Sequence, residues 1–99
     1  MNGSIAGFDW DAHNSGKCQK HGVTLAEVEA LFEDGLAVLP DIAHSATEER
    51  FKGIGRTRAG RHVFVVFTLR VIDGARLIRP ISARYMHDKE VRHYEEENP

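Results

Sequence analysis

The sequence predicts one α+β domain, with N-terminal helices and a C-terminal helix around an antiparallel β-sheet. Its 99 residues suffice for one hydrophobic core, so residues 1–99 are expected to form a single domain. Apolar residues make up 41% of the chain and charged residues 28%, which is typical of globular proteins. Helical patterns at both ends enclose a run of strand patterns, an order typical of the α+β class.

The N-terminal half predicts two helices between two short strands. Asp11 is a suitable N-cap for a first, weak helix. The second helix is better defined, because Thr24 and Glu27 form a capping box and an apolar stripe runs as far as Gly35. Pro40 ends the strand that follows. In chain order, the elements are a strand at 7–10, a helix at 12–20, the Thr24 helix, a strand at 36–39 and a polar loop at 41–48.

The C-terminal half predicts an antiparallel meander and a last helix. The middle strand of the meander is apolar on both faces, so it should lie at the centre of the sheet. Ala59-Gly60 and Asp73-Gly74 suit tight hairpin turns on either side of it. If the helices cover one face of the sheet, the other face stays partly open, and the functional site is expected there. The strands are predicted at 50–56, 62–70 and 75–83, and the helix at 87–96.

The charge of the chain is divided between segments. Residues 1–49 hold nine carboxylates against two lysines, a net charge of −7, whereas residues 50–84 hold nine cations against Asp73, a net charge of +8. Eight of these nine cations are arginine, whose planar guanidinium can bind phosphate through two hydrogen bonds. The segment therefore predicts a surface for a polyanion. The alternative is a solvated strand face with salt bridges to the acidic helices.

Five of these cations are expected to form one patch. Strand alternation puts Arg50, Lys52 and Arg56 on one side of their strand, and Arg79 and Arg84 belong to a neighbouring strand or its end. Such crowding of positive charge is costly unless an anion lies there. The five residues are therefore candidate anion ligands.

The last helix brings candidate proton-transfer groups to this patch. His87, Glu90 and Tyr94 fall on one helix face, and any of the three can accept a proton beside Arg84. RNA cleavage without a metal needs a base for the ribose 2′-hydroxyl, cations for the phosphorane and an acid for the leaving oxygen. The alternative is that Tyr94 covers the core and Glu90 pairs with an arginine. Three loop residues are open to the same two interpretations: His44, Glu48 and Glu49.

No cofactor site is predicted. The six histidines form no HExxH motif and no cysteine-supported set, and Gly53-Ile54-Gly55 lies in a strand pattern rather than a phosphate-binding loop. Cys18 is alone, which fits a reducing compartment and an inert small apolar residue. Without an export signal or a membrane-length apolar run, the protein is expected in the cytoplasm.

Seven blocks of the sequence occur in the order found in one bacterial toxin family. They are Phe8-Asp9-Trp10-Asp11, Lys20-His21-Gly22-Val23, Asp41 with His44-Ser45, Glu49-Arg50-Phe51, Ile54-Gly55-Arg56, Ile81-Ser82-Ala83-Arg84, and Glu90 with Tyr94. Together they resemble the BrnT family, the toxin half of the BrnT/BrnA type II toxin–antitoxin systems. The resemblance spans residues 8–96.

The resemblance implies a RelE-like fold, ribonuclease activity that blocks translation, and a BrnA antitoxin that binds DNA through a ribbon-helix-helix domain. Two departures from the family pattern bear on the site and on antitoxin contacts. The stretch between Trp10 and His21 is one residue shorter than usual, and Pro80 replaces a branched apolar residue. Because Pro80 has no N–H, its strand should lie at an edge or carry an interruption there. Motif positions of the family are occupied by Lys20, His21, Arg50, Arg56, Arg79, Arg84 and Tyr94.

The resulting hypothesis is a metal-independent endoribonuclease that inhibits translation and is neutralised by a BrnA-like antitoxin, with DNA contacted only through that antitoxin. The alternative is a subunit of a toxin–antitoxin repressor complex that binds RNA or a partner without catalysis. The candidate catalytic residues are Arg56, Arg79, Arg84, Glu90 and Tyr94. The candidate RNA-binding residues are Lys20, His21, Arg50 and Lys52.

Overall fold

The computed structural model describes residues 5–41 and 48–99. Within these ranges the chain forms five strands and three helices, in the predicted order. They are β1 (Gly7–Phe8), α1 (Ala12–Gln19), α2 (Leu25–Asp34), β2 (Ala37–Pro40), β3 (Arg50–Arg56), β4 (His62–Ile72), β5 (Ala75–Tyr85) and α3 (Asp88–Glu97). Most of the predicted polar loop, including His44 and Ser45, lies outside the described residues.

The five strands form one sheet in the order β1-β5-β4-β3-β2. β4 lies at the centre, as its two apolar faces predict. Strands β2 to β5 pair antiparallel, whereas β1 pairs with β5 in parallel, with Gly7 beside Leu77 and Phe8 beside Ile78. The α+β class is therefore confirmed, and the sheet is mixed rather than wholly antiparallel. A two-residue strand carries no sequence pattern that would give its direction.

The pairing of β4 with β5 contains a β-bulge at the predicted interruption. Val66 lies beside Ser82 and Phe67 lies beside Pro80, so Ile81 is an extra residue in β5. The missing N–H of Pro80 thus falls where the ladder is already irregular.

Asn14 ties α1 to both strands at this edge of the sheet. Its side chain is 2% exposed, and its Nδ2 donates to the backbone oxygens of Asp9 and Pro80 at 2.9 and 2.8 Å. Its backbone N–H also donates to Asp11 Oδ1, which caps the helix. α1 is therefore held against β5 by hydrogen bonds as well as by apolar contacts.

One face of the sheet, the inner face, packs against α1 and α2. β3 approaches α2 closely because it carries glycines here: a Cβ on Gly53 would overlap the side chain of Leu36, and one on Gly55 would lie 3.0 Å from Leu31 Cδ2. The core is therefore built between this face and the two helices. Its buried apolar residues are Cys18, Val23, Val28, Leu31, Val63, Val65, Phe67, Ile78 and Ala83.

The opposite face, the outer face, is partly crossed by α3. The ring of Tyr94 lies 6.2 Å from that of His62, and Glu90 binds Arg84. No residue of α3 is buried. Helices therefore lie on both faces of the sheet, whereas the sequence predicted cover on one. The stripe that α3 turns toward the sheet contains Glu90 and Tyr94 with a single aliphatic residue, Val91, so it suits a polar surface better than the core.

Candidate functional site

Among the described residues of the sheet, six cationic side chains project from the outer face. Strand alternation puts them there, because the residues between them point to the inner face. The predicted clustering of Arg50, Lys52 and Arg56 on one side of β3 is observed. The six are Arg50, Lys52, Arg56, Arg70, Arg79 and Arg84.

At one end of the outer face, Arg79 is held by two carboxylates. Its Nη2 lies 2.8 Å from Asp11 Oδ2 and its Nη1 lies 3.4 Å from Asp9 Oδ2, and the Arg79 side chain is only 14% exposed. Arg70 shares Asp9 at 3.9 Å. The hydrogen bond from the backbone of Asn14, followed by that from Arg79, holds the pKa of Asp11 below its usual range. Arg79 thus links the segment between β1 and α1 to β5.

In the middle of the face, Arg50 and Lys52 lie near carboxylates at longer distances. Arg50 Nη2 is 3.8 Å from Glu48 Oε1, and Lys52 Nζ is 3.8 Å from Asp41 Oδ1. Side-chain exposure of 33% and 42% leaves both cations open to solvent. The Glu48 carboxylate is itself 36% exposed, so its contact with Arg50 contributes little, whereas Lys52 lies beside a carboxylate that is only 3% exposed.

At the other end, Arg84 and Glu90 form a two-point ion pair. Arg84 Nη1 and Nη2 donate to Glu90 Oε1 and Oε2 at 2.8 and 2.9 Å. The Arg84 guanidinium also lies 5.0 Å from the centre of the Phe64 ring. The hydrogen bonds from Arg84, and then that from the His87 backbone, lower the pKa of Glu90 to about 2. Glu90 therefore remains ionised and fixes the direction of Arg84.

Beside this pair, a cleft of about 420 Å³ lies among the segment that joins α2 to β2, the end of β3, the start of β4 and Tyr94 of α3. Arg56, His62 and Tyr94 line it, with Asp34 on the rim. Asp34 is engaged by Arg58, whose Nε and Nη2 donate to its two oxygens at 3.2 Å each. In the described part of the chain, no carboxylate lies within ion-pair distance of Arg56. The cleft thus combines an imidazole and a phenol with a cation that has no counter-ion among the described residues.

Lys20 and His21 lie at the same end of the sheet but toward its inner face. Both are exposed after α1, and the following Gly22 lies against Tyr85, the residue next to Arg84. Tyr85 donates its hydroxyl hydrogen to Glu27, and Arg61 stacks 3.6 Å above its ring. This corner of the molecule therefore carries cations on both faces.

The structure brings together four of the five candidate catalytic residues and separates one. Arg56 and Tyr94 line the cleft, and Arg84 and Glu90 form the ion pair beside it. Arg79 stands apart, because its partner in β4 is four residues from the partner of Arg84, roughly 13 Å along a strand.

His62 belongs to the cleft but was not among the sequence candidates. Strand alternation alone does not single it out, since it lies at the first position of β4. The feature that could have identified His62 is the register of the β3–β4 hairpin, which places it beside Arg56. Within residues 5–41 and 48–99, no group of three or more His, Cys, Asp or Glu side chains converges as a metal site would require. In the same ranges, no helix is long and apolar enough to cross a membrane.

The sequence was also compared with models of known protein families. A sequence model of a protein family, described as the ribonuclease toxin BrnT of a type II toxin–antitoxin system, matches residues 10–90. A comparison with curated proteins found no match. The matched region contains the six cations of the outer face and all lining residues of the cleft except Tyr94.

Proposed function

Because the chain belongs to the BrnT family of type II toxin–antitoxin ribonuclease toxins, we propose that it is an endoribonuclease that cleaves RNA without a metal ion and so inhibits translation. The observation that carries the proposal is the cleft lined by Arg56 and Tyr94 at the end of a cationic sheet face, where Arg84 also lies, paired with Glu90 of the same helix as Tyr94. The cleavage is an attack of the ribose 2′-hydroxyl on the adjacent phosphate, which needs positioned cations and proton-transfer groups but no cofactor.

In this proposal, Arg56 and Arg84 bind the scissile phosphate and stabilise the charge that develops on it. Arg84 is suited to this role because Glu90 and Phe64 already hold its guanidinium in one orientation. Arg56 is suited because its charge has no counter-ion in the described residues. Glu90 then acts as a positioning residue, since a carboxyl group with a pKa near 2 is a weak proton acceptor at neutral pH.

The rest of the outer face is proposed to bind the RNA backbone on either side of the cleft. Arg50 and Lys52 extend the cationic surface along β3, and Lys20 with His21 extends it around the corner of the sheet. Arg79 is assigned a structural role at the far end, because its side chain is only 14% exposed between two carboxylates, whereas that of Arg84 is 38% exposed.

The antitoxin of such a system must neutralise the cationic face or the cleft. We propose a BrnA-like protein with a ribbon-helix-helix domain, through which alone the complex contacts DNA, and a cytoplasmic location for both proteins. A RelE-like arrangement of the sheet is part of the same proposal. The second candidate function, an RNA- or partner-binding subunit without catalysis, is favoured by one observation: Glu90 is already paired with Arg84.

The test is to map the ends of RNA incubated with the purified chain in the presence of a chelator. We expect 2′,3′-cyclic phosphate ends, and a rate that falls roughly 100-fold in Arg84→Ala because one stabiliser of the transition-state charge is lost. Arg92→Ala is the matched control, since Arg92 is exposed on α3. RNA that is bound but left intact by the wild-type chain would favour the second function instead.

A further inference from the structure

His62 occupies a fixed position in the cleft beside the proposed phosphate ligands. Its backbone oxygen accepts a hydrogen bond from Met86 N–H at 3.0 Å, and its Cα pairs with that of Arg56. The imidazole is partly buried and meets the Tyr94 ring edge-on, with the ring centres 6.2 Å apart. The next outward position of β4 is Phe64, above which Arg84 lies. An anion held by Arg56 and Arg84 would therefore lie close to this imidazole.

The other acidic or basic groups of the cleft are poorly suited to accept a proton. Glu90 has both oxygens engaged by Arg84, and Asp34 has both oxygens engaged by Arg58. A tyrosine phenol is protonated at neutral pH, so Tyr94 is better suited to donate a proton than to accept one. Imidazole is the side chain that can serve as a base near pH 7.

We infer that His62 is a catalytic residue, the proton acceptor for the ribose 2′-hydroxyl; this inference rests on the proposed ribonuclease function. The 2′-oxygen gives its proton to the imidazole and forms a bond to phosphorus. The bond from phosphorus to the 5′-oxygen breaks, and that oxygen takes a proton from the Tyr94 phenol; the imidazolium then releases its proton to water and the phenolate regains one from water. The products are a 2′,3′-cyclic phosphate and a free 5′-hydroxyl.

The charged and titratable groups that face His62 come from three elements. They are Arg56 of β3, Tyr94 of α3 and Asp34 at the end of α2, with Arg84 of β5 beyond Phe64. A histidine base must be neutral to accept a proton, so the cleavage rate is expected to fall at acidic pH.

The test measures single-turnover cleavage of a defined RNA between about pH 5 and pH 8. We expect His62→Gln to lower the rate by roughly 100-fold or more, to abolish the acidic limb and to leave RNA affinity unchanged. His93→Gln is the control, because His93 lies on α3, is 72% exposed and has its carboxylate neighbour, Glu97, on the same helix. It should match the wild-type chain at every pH.

A second measurement needs no variant of His62 itself. The midpoint of its imidazole titration in the wild-type chain, followed by NMR, should coincide with the midpoint of the acidic limb. A mismatch, or an acidic limb that survives in His62→Gln, would overturn the assignment while the ribonuclease function stood. A wild-type chain that cleaves no RNA would overturn both.

Discussion

Two arginines on the same face of the sheet have opposite surroundings. Arg79 is mostly buried between Asp9 and Asp11, whereas Arg56 is exposed and has no carboxylate near it among the described residues. An enclosed pair stabilises the fold, because removal of one partner leaves the other charge without a counter-ion. An exposed cation contributes little to the fold and remains available for a ligand.

This contrast predicts opposite effects of two matched substitutions. Arg79→Met should lower the free energy of unfolding by about 1–2 kcal/mol, since Asp9 loses its nearest cation. Arg56→Met should change it by less than about 0.5 kcal/mol but should slow RNA cleavage. Urea unfolding and a cleavage assay on both variants check this. If Arg79→Met kept full stability and lost activity, Arg79 would belong to the site, as the sequence alone suggested.

At the scale of secondary-structure elements, the amino-acid sequence predicts the strand bounds, helix caps and turns, because these depend on local patterns of residues. β3 has the predicted bounds, the N-cap at Asp11 and the capping box at Thr24 are present, and the Asp73-Gly74 turn has the positive φ angles of 50° and 78° that such a turn requires. The direction of β1 and the side taken by α3 were not predictable in this way. Both depend on contacts between distant segments, which no local pattern encodes.

Two glycines allow the packing of these elements to be tested. Gly53→Ala should lower the free energy of unfolding by about 1–3 kcal/mol, because the added methyl group would overlap Leu36 in the core. Gly16 lies inside α1, and no atom lies within 4 Å of the Cβ that an alanine would add there. Gly16→Ala should therefore raise the free energy of unfolding by about 0.5–1 kcal/mol. Thermal or urea unfolding compares the two. Equal effects of both substitutions would contradict the close approach of β3 to Leu36.

At the scale of the whole molecule, the two faces of the sheet differ in charge. The outer face carries six cationic side chains, whereas α2 on the inner side carries Glu27, Glu29, Glu33 and Asp34. RNA should therefore approach one face, and its binding should weaken steeply as salt is added.

Salt dependence tests this division of charge. If Lys52 contacts a phosphate, Lys52→Gln should reduce the slope of log affinity against log salt by about 0.7, the value for one contact to a single strand. Lys17→Gln removes an exposed lysine from α1 and should leave the slope unchanged. Filter binding at several salt concentrations measures both. Equal losses of slope would indicate that RNA does not distinguish the two faces.

The candidate site was predictable to the extent that it depends on charge and alternation. The cations of β3 and the face of α3 that carries Glu90 and Tyr94 follow from spacing alone. The separation of Arg79 and the inclusion of His62 do not, because each depends on a partner far along the chain: Asp9 in one case and Tyr94 in the other.

The extra residue at Ile81 determines which surface each arginine of β5 reaches. Arg79 and Arg84 are five positions apart, an odd number, so an uninterrupted strand would send them to opposite sides. The bulge resets the alternation, and both side chains emerge beside even-numbered residues of β4, Thr68 and Phe64. A single inserted residue therefore determines which face of the sheet each later side chain of β5 reaches. Without it, one of the two guanidinium groups would be turned into the hydrophobic core.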